Sequence, residues 1–301
     1  MDLDKDKGNT KPPKTYSEQV DLYKSRNLHV ENSKYAEKIL QRINYYRLSA
    51  YGLTLQDRLN KDEYVPGASF NKMLSLYEFD RRLRLLLLGT LETIEIALRT
   101  HISYEMAHKV GPMGYRNKEN FLDEEFHHSF LGELDSLISK SRKGELFVQH
   151  YFQNYGGVFP IWVAIEVTSF GFLSKLYYNL NVDLKKHIAM RYYNVPYRYI
   201  QSWLRTLSSI RNVCAHYGRL YNKPLTFKPL LFKEDSRQFS NQQIYAAIYI
   251  ITRLLSKVEG DRFIRDLDAL ISAYEEDISF DAIGFPSNWK YFLERLQKNK
   301  A

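Results

Sequence analysis

Cysteine is nearly absent from this chain, which has a single one, Cys214, among its 301 residues. An internal disulfide is therefore excluded, and the sequence fits a reducing compartment. No apolar run approaches the roughly 18 residues that span a bilayer. The opening stretch, MDLDKDKGNT, lacks the apolar core of a signal peptide. We therefore expect a cytoplasmic protein in which Cys214 is a small packing residue and not a nucleophile.

The motifs of several common enzyme classes are also missing. The sequence has no Gly-x-Ser-x-Gly elbow, no Walker loop and no dinucleotide fingerprint. Two Glu-x-x-His pairs, Glu105 with His108 and Glu125 with His128, raise the alternative of a di-iron bundle, which also requires a glutamate on each of two other helices. The spacing of histidine and cysteine predicts no zinc site. We expect neither a metal nor another cofactor.

Basic and aromatic residues, in contrast, are abundant. The formal net charge is +8, and 24 Tyr with 17 Phe supply most of an aromatic share of 15%. Lys and Arg displace the counterions of a phosphate backbone, and aromatic rings stack on unpaired bases. This composition favours a nucleic-acid partner, although we expect most of the rings to pack in the core.

Apolar residues recur at three- and four-residue steps through most of the chain, and no set of strands is evident. The longest pattern predicts a helix from Ser69 to about Lys109, whose near-heptad apolar positions suit either a bundle spine or a dimer seam. We expect a disordered basic arm at residues 1–14 and one all-helical domain at residues 15–301, with a long central helix and additional peripheral helices. Further helices are expected at residues 17–26, 33–43, 123–140, 145–154, 160–180, 183–193, 196–217, 241–258, 261–274 and 289–297.

The strongest chemical pattern is the segment WLRTLSSIRNVCAHYGRLYN at residues 203–222. Its apolar residues form one helical stripe, and Asn212, His216 and Arg219 share a second face, with Arg211 beside it in what we expect to be mid-helix. A neutral imidazole can remove or supply a proton, and a guanidinium can hold two phosphate oxygens. These groups suit cleavage of a phosphodiester by its own ribose 2′-OH without a metal. The alternative is a surface helix with a capping-type histidine.

A second polar cluster interrupts the apolar pattern of the long predicted helix. Glu92, Glu95 and Arg99 lie three and four residues apart. Polar groups inside a bundle are costly unless each is paired. The cluster is therefore either a structural network or the frame of a pocket opposite His216, which it would orient.

The stretch RNVCAHYGRLYN at residues 211–222 resembles the signature of the abortive-infection AbiD/AbiF family, part of the HEPN superfamily of helical ribonucleases. Two other stretches agree with it. INYYRLSAY at residues 43–51 is similar to the family's amino-terminal motif, and the segment from Phe79 to Thr100 is similar to its long central helix. The resemblance spans about residues 16 to 297, and the Arg-Asn-x-x-x-His core shows no departure from the family pattern.

The resemblance implies an all-α, HEPN-type bundle that acts as a metal-independent endoribonuclease and antiphage toxin. It also implies a homodimer with an RNA substrate, and regulation by a small non-coding RNA. Cleavage would leave 2′,3′-cyclic phosphate and 5′-hydroxyl ends. The alternatives are a non-catalytic RNA-binding or protein-binding module, and a nucleotide-binding partner in a two-component toxin system.

The expected site residues fall into three groups. The resemblance implies that the catalytic residues are Arg211, Asn212 and His216. The residues expected to bind RNA are Arg219, Tyr217 and Arg99. The residues expected to support the site are Glu92 and Glu95.

Overall fold

The computed structural model describes residues 11–57, 59, 60, 62–298 and 300. In this part of the chain every regular element is helical, which confirms the all-α prediction. The predicted arm at residues 1–14 lies mostly outside the described residues. The α-helices are α1 (Tyr16–Lys24), α2 (Ser33–Leu40), α3 (Tyr45–Ser49), α4 (Phe70–Val110), α5 (Glu124–Ser141), α6 (Leu146–Asn154), α7 (Ile161–Ala164), α8 (Phe170–Asn179), α9 (Val182–Tyr193), α10 (Tyr197–Ala215), α11 (Ile244–Leu254), α12 (Lys257–Ser272), α13 (Phe280–Ile283) and α14 (Trp289–Lys298).

The helix α4 is the long central helix that the apolar pattern predicts. Its 41 residues begin and end within one residue of the predicted bounds. Its near-heptad apolar side chains are all buried within the single chain, namely Met73, Leu76, Leu83, Leu87, Leu91, Ile94, Leu98, Ile102 and Met106. Because these side chains are already covered, the stripe is a bundle spine, and the dimer-seam alternative does not apply to it.

The chain divides into two compact units. The first runs to Asp80 and takes in Tyr274–Ile278, so it holds α1, α2, α3 and the first turns of α4. Tyr23 and Leu48 are buried in it, and the buried Tyr51 donates its hydroxyl to Asp80 Oδ2 at 2.6 Å. The prediction of one domain over residues 15–301 stays a prediction.

The second unit holds the remaining described residues. In it α10 packs against α8, α9 and α11, while α14 packs against α11 and α12. The helix α11 is enclosed on every side, since all residues from Ile244 to Thr252 are buried. Cys214 on α10 is 3% exposed, as expected of a packing residue. None of the helices within the described ranges has the length and apolar content to cross a bilayer.

The helix predicted at residues 160–180 is wrong, because a break divides it into α7 and α8 with a 3₁₀ turn between them. At the break the Thr168 hydroxyl donates to the Ile165 carbonyl at 2.6 Å. Ser169 then caps α8 by accepting the Phe172 N–H at 3.3 Å. Such hydrogen bonds from Ser and Thr side chains compete with the helical pattern. The break leaves the Thr168 carbonyl outside a regular helix, where another side chain can reach it.

Candidate active site

The Arg-Asn-x-x-x-His pattern lies at the end of α10, and its expected mid-helix position is wrong. His216 is the C-cap residue of the helix. The Tyr217 N–H donates to the Cys214 carbonyl at 3.1 Å, and the Gly218 N–H donates to the Val213 carbonyl at 2.8 Å. These two bonds form a Schellman motif, which satisfies the last carbonyls of a helix through the backbone.

The Schellman turn places Tyr217 in the left-handed region, with φ of 59°. Glycine usually occupies this position, and an L residue there is strained by about 1 kcal/mol or more. Gly218, one residue later, is needed for a different reason, since a Cβ there would approach Val213 Cγ1 to 2.9 Å. The Tyr217 side chain is 70% exposed. Burial therefore does not account for an aromatic residue at this strained position beside His216.

The three residues expected to be catalytic are accessible. Asn212 and His216 are exposed, and Arg211 is half-buried. Within the part of the chain that the structure describes, no hydrogen bond or ion pair holds the side chain of Asn212 or His216. The imidazole therefore does not cap the helix, because the backbone of the following turn does so. The alternative of a capping-type histidine requires a hydrogen bond from the His216 side chain to the helix end, and the described residues show none.

A buried carboxylate on α4 lies against the arginine of the pattern. Glu95 is 7% exposed, and its Oε1 accepts Arg99 Nη2 at 2.6 Å. Its Oε2 lies 3.6 Å from Arg211 Nε. Arg99 Nη2 also donates to the Thr168 carbonyl at 2.6 Å, at the break between α7 and α8. Because the Arg99 side chain is 16% exposed and that of Arg211 is 36% exposed, water screens the pair with Arg211 more strongly.

The charges within the two ion pairs of Glu95 do not cancel. Two guanidinium groups share one carboxylate, which leaves a formal charge of +1. The 3.6 Å separation at Arg211 is longer than a hydrogen bond. Arg211 makes no hydrogen bond to any described residue, so its terminal amino groups are available to an anion. The arrangement can hold a phosphate beside the imidazole-bearing end of α10.

A family model described as Abi-like protein matches residues 38–222, more than half of the chain. The chain belongs to the Abi-like family. No curated protein and no solved structure matches it significantly. The match is shorter than the expected span of 16 to 297, but it includes Glu95, Arg211, Asn212 and His216. Membership of the Abi-like family implies an abortive-infection function.

Three other expected site residues of this Abi-like protein, Glu92, Arg99 and Arg219, differ in their contacts. Glu92 is exposed and forms no hydrogen bond or ion pair with the described residues. Arg99 directs its guanidinium inward, and its Nε is buried without a hydrogen-bond partner. Arg219 Nη1 donates to the carbonyls of Tyr221 and Asn222 at 3.1 and 3.3 Å. The RNA-binding roles of Arg99 and Arg219 stay predictions, while their observed contacts stabilise the chain around the site.

Sequence reasoning missed one residue that supports the turn after His216. Arg84 on α4 is 5% exposed, and its Nη1 donates to the Gly218 carbonyl at 3.3 Å. The sequence carries a signal for it, because Arg84 is a charge within the otherwise apolar end of RRLRLLLL at residues 81–88. A buried arginine needs a partner, and here a partner is a backbone carbonyl of the Abi-like signature.

A second buried carboxylate of the Abi-like protein belongs to a separate network on α4 and α9. Glu105 accepts the Tyr192 hydroxyl at 2.7 Å and pairs with His187 Nε2 at 2.7 Å and Arg191 Nη1 at 2.9 Å. Burial raises the pKa of the Glu105 carboxyl, but the Tyr192 hydrogen bond and the charges of His187 and Arg191 outweigh burial and lower the pKa overall. This network shows how the chain satisfies a buried acid that takes no part in the candidate site.

The Glu-x-x-His pairs do not assemble into a di-iron ligand set. Glu105 is engaged as above, while His108 Nδ1 bonds the Tyr104 carbonyl at 2.7 Å. Glu125 and His128 are both exposed. The described residues include no group of three or more His, Cys, Asp or Glu side chains arranged to hold a metal ion.

Proposed function

We propose that this Abi-like protein is a metal-independent endoribonuclease of the HEPN type that acts as an antiphage abortive-infection toxin. The observation that carries the proposal is the accessible set at the end of α10. There Asn212 and His216 are exposed, and the buried Glu95 lies against Arg211. The family supports the proposal because the matched residues include the whole set.

In the proposed reaction, two protomers bring two copies of the set together across a twofold axis. One His216 accepts the proton of a ribose 2′-OH, and the 2′ oxygen forms a bond to the adjacent phosphorus. The bond between phosphorus and O5′ breaks, and the partner subunit's His216 supplies a proton to O5′. The products carry a 2′,3′-cyclic phosphate and a 5′-hydroxyl.

Arg211 stabilises the charge that develops on the phosphorane. Its terminal amino groups have no hydrogen bond within the described residues and can bind two non-bridging oxygens, while Glu95 stays near Nε. Asn212 orients the imidazole or the phosphate. The remaining charge of +1 favours the anion over the free site.

Replacing His216 by Ala tests the proposal. Loss of general acid and base catalysis should lower RNA cleavage at least about 100-fold, whereas the dissociation constant for RNA should change by less than about threefold because Arg211, which is retained, still meets the charge of the phosphate. The measurements are cleavage of a labelled RNA, mass spectrometry of the product ends, and growth arrest in cells. His128→Ala is the matched control, since His128 is also an exposed histidine on a helix. A His216→Ala variant as active as His128→Ala would contradict the assignment.

A non-catalytic RNA-binding module is the second candidate, and the net positive charge at Arg211 favours it. The two functions predict different effects of Arg211→Ala. A nuclease should lose more in turnover than in RNA affinity, whereas a binding module should lose affinity and toxicity together. Sedimentation at micromolar concentration adds a separate test, because a monomer that still cleaves RNA would contradict the shared site. Restraint by a small non-coding RNA is part of the proposal and is tested by adding co-purifying RNA to the cleavage assay.

A further inference from the structure

A groove on the second unit is lined by charged and aromatic residues that are not part of the candidate active site at the end of α10. It lies between the start of α5, α8, the start of α9, the first half of α10 and the segment at residues 226–230. Its volume is about 1240 Å³. Small-molecule pockets usually measure roughly 300 to 1,000 Å³. An open groove of this size suits a polymer better than a small ligand.

The groove is strongly basic. The cations that line it are Lys175, Lys185, Arg198, Arg205 and Lys228. Asp123, the carboxylate among the described lining residues, already accepts the Phe126 N–H at 2.8 Å as the cap of α5. Lys175 pairs with Glu133 at 3.3 Å, and the other four cations have no carboxylate partner in the described ranges. The groove therefore attracts a polyanion.

Lys185 is a buried cation that lacks a counter-ion. It is 2% exposed, and its Nζ donates to the Tyr178 carbonyl at 2.8 Å and to Gln201 Oε1 at 3.4 Å. Burial lowers the pKa of its ammonium group. A buried charge is costly unless it is paired. An anionic group in the groove would supply the pairing that the described residues do not.

Aromatic rings lie next to these cations in the groove. Tyr178 lines the groove and is 55% exposed. The Arg205 guanidinium lies 4.1 Å from the centroid of the Phe227 ring, and Lys185 Nζ lies 5.4 Å from that of the Tyr197 ring. Rings interspersed with cations are what unpaired bases and their phosphates bind, because bases stack on the rings and phosphates meet the charges. A duplex would conceal its bases from these rings.

The exposed face of α10 joins the groove to His216. The exposed residues of α10 are Arg198, Arg205 and Asn212. Because they are spaced by seven residues, they lie on one stripe of the helix. Arg198 and Arg205 line the groove, and Asn212 belongs to the candidate active site. His216 lies about 16 Å beyond Arg205 along the axis, at about 1.5 Å per residue. A strand that leaves the groove along this stripe reaches the imidazole.

We propose that this groove binds a single RNA strand and directs it along the exposed stripe of α10 to His216. Delivery of the strand to His216 rests on the proposed nuclease function, whereas binding of the strand in the groove does not. The two can therefore be tested apart.

The test uses the full chain and a fluorescent, uncleavable 2′-O-methyl oligouridine of about 12 nucleotides, within the usual size range of single-strand sites. Anisotropy is measured at several salt concentrations. Arg205→Gln should weaken binding at least about threefold and reduce the salt slope by about 0.7, the value for one phosphate contact on a single strand. The matched control is Arg265→Gln, which removes an exposed arginine without a described ion pair on α12 and should leave both quantities unchanged.

Stacking is tested separately from charge. Tyr178→Ala should weaken binding about fivefold or more without changing the salt slope, and Tyr178→Trp should restore affinity because it retains a stacking face. Tyr291→Ala is the control, since Tyr291 on α14 is 57% exposed and lies outside the groove. Equal losses from Tyr178→Ala and Tyr291→Ala would overturn the stacking argument.

Other results would overturn the proposal as a whole. These are wild-type affinity in Arg205→Gln, an equal loss in Arg265→Gln, duplex RNA binding as tightly as the single strand, or polyglutamate competing as well as RNA. The last result would identify the groove as a site for an acidic protein. An unmodified strand that binds the wild-type chain with the expected Arg205 dependence and is never cleaved would contradict the proposed nuclease and support the groove.

Discussion

Replacing Glu95 by Gln removes the negative charge that two arginines share and keeps the side-chain volume. Removing one partner of a buried ion pair costs about 3 to 5 kcal/mol. The pair with Arg99, at 2.6 Å and 16% exposure, approaches that buried case. The pair with Arg211, at 3.6 Å and 36% exposure, contributes at most about 1 kcal/mol. Because Gln still offers one carbonyl acceptor, we expect a net loss of about 2 to 3 kcal/mol in the free energy of unfolding.

Urea unfolding followed by circular dichroism measures this loss. Glu92→Gln is the control, since Glu92 lies one turn earlier on α4 and has no described partner. It should change the free energy of unfolding by less than about 0.5 kcal/mol. Double-mutant cycles with Arg99→Met and Arg211→Met then separate the two pairs, and the coupling of Glu95 to Arg99 should be the larger.

The same variant also tests the site. With the carboxylate gone, Arg211 is no longer held near one orientation, so RNA turnover should fall about tenfold while RNA affinity changes by less than about threefold. The reasoning is refuted if Glu95→Gln is as mild as Glu92→Gln, or if the coupling to Arg211 equals or exceeds the coupling to Arg99.

Two further predictions concern strain and pH. Tyr217→Gly should be more stable than Tyr217→Ala by about 1 kcal/mol, because only glycine relieves the left-handed backbone; urea midpoints of the two variants check this, and equal midpoints would contradict it. Burial lowers the pKa of His101 to about 4, so the unfolded chain takes up a proton first as pH falls below about 6.5. Titration of His101 should therefore cost the wild type at most about 2 kcal/mol between pH 7 and pH 5, and His101→Gln, compared by urea unfolding at both pH values, should lack this part of the loss.

The sequence predicts an element well where its apolar repeat is long and unbroken. For α4 the repeat continues through the whole helix, and the bounds were predicted within one residue. The repeat was misleading at residues 160–180, because the break depends on the side-chain hydrogen bonds of Thr168 and Ser169, which no periodicity records. The boundary expected near residue 260 lies instead at Ser256, whose capping box with Glu259 was present in the sequence as a start signal.

The sequence predicted which residues form the candidate site but not their contacts. The spacing within one segment predicts Arg211, Asn212 and His216 as the catalytic set, and this stays a prediction; the structure leaves Asn212 and His216 exposed and Arg211 half-buried. The contact between Arg211 and Glu95 depends on how α10 packs against α4, which periodicity along either helix does not specify. The helix predicted at residues 196–217 ends at Ala215, because His216 is the C-cap residue and Tyr217 is left-handed.

The helix α4 contacts the chain both before and after His216. Arg84 and Glu95 lie eleven residues apart on α4, three helical turns, and therefore point from nearly the same face. Glu95 contacts Arg211 before His216 in the chain, and Arg84 contacts Gly218 after it. A reaction that relies on positioned donors and a proton carrier, with no metal to organise it, needs such a scaffold, because a displacement of about 1 Å can cost about 100-fold in rate. The burial of α4 within the chain is thus part of what would make the exposed end of α10 an effective catalyst.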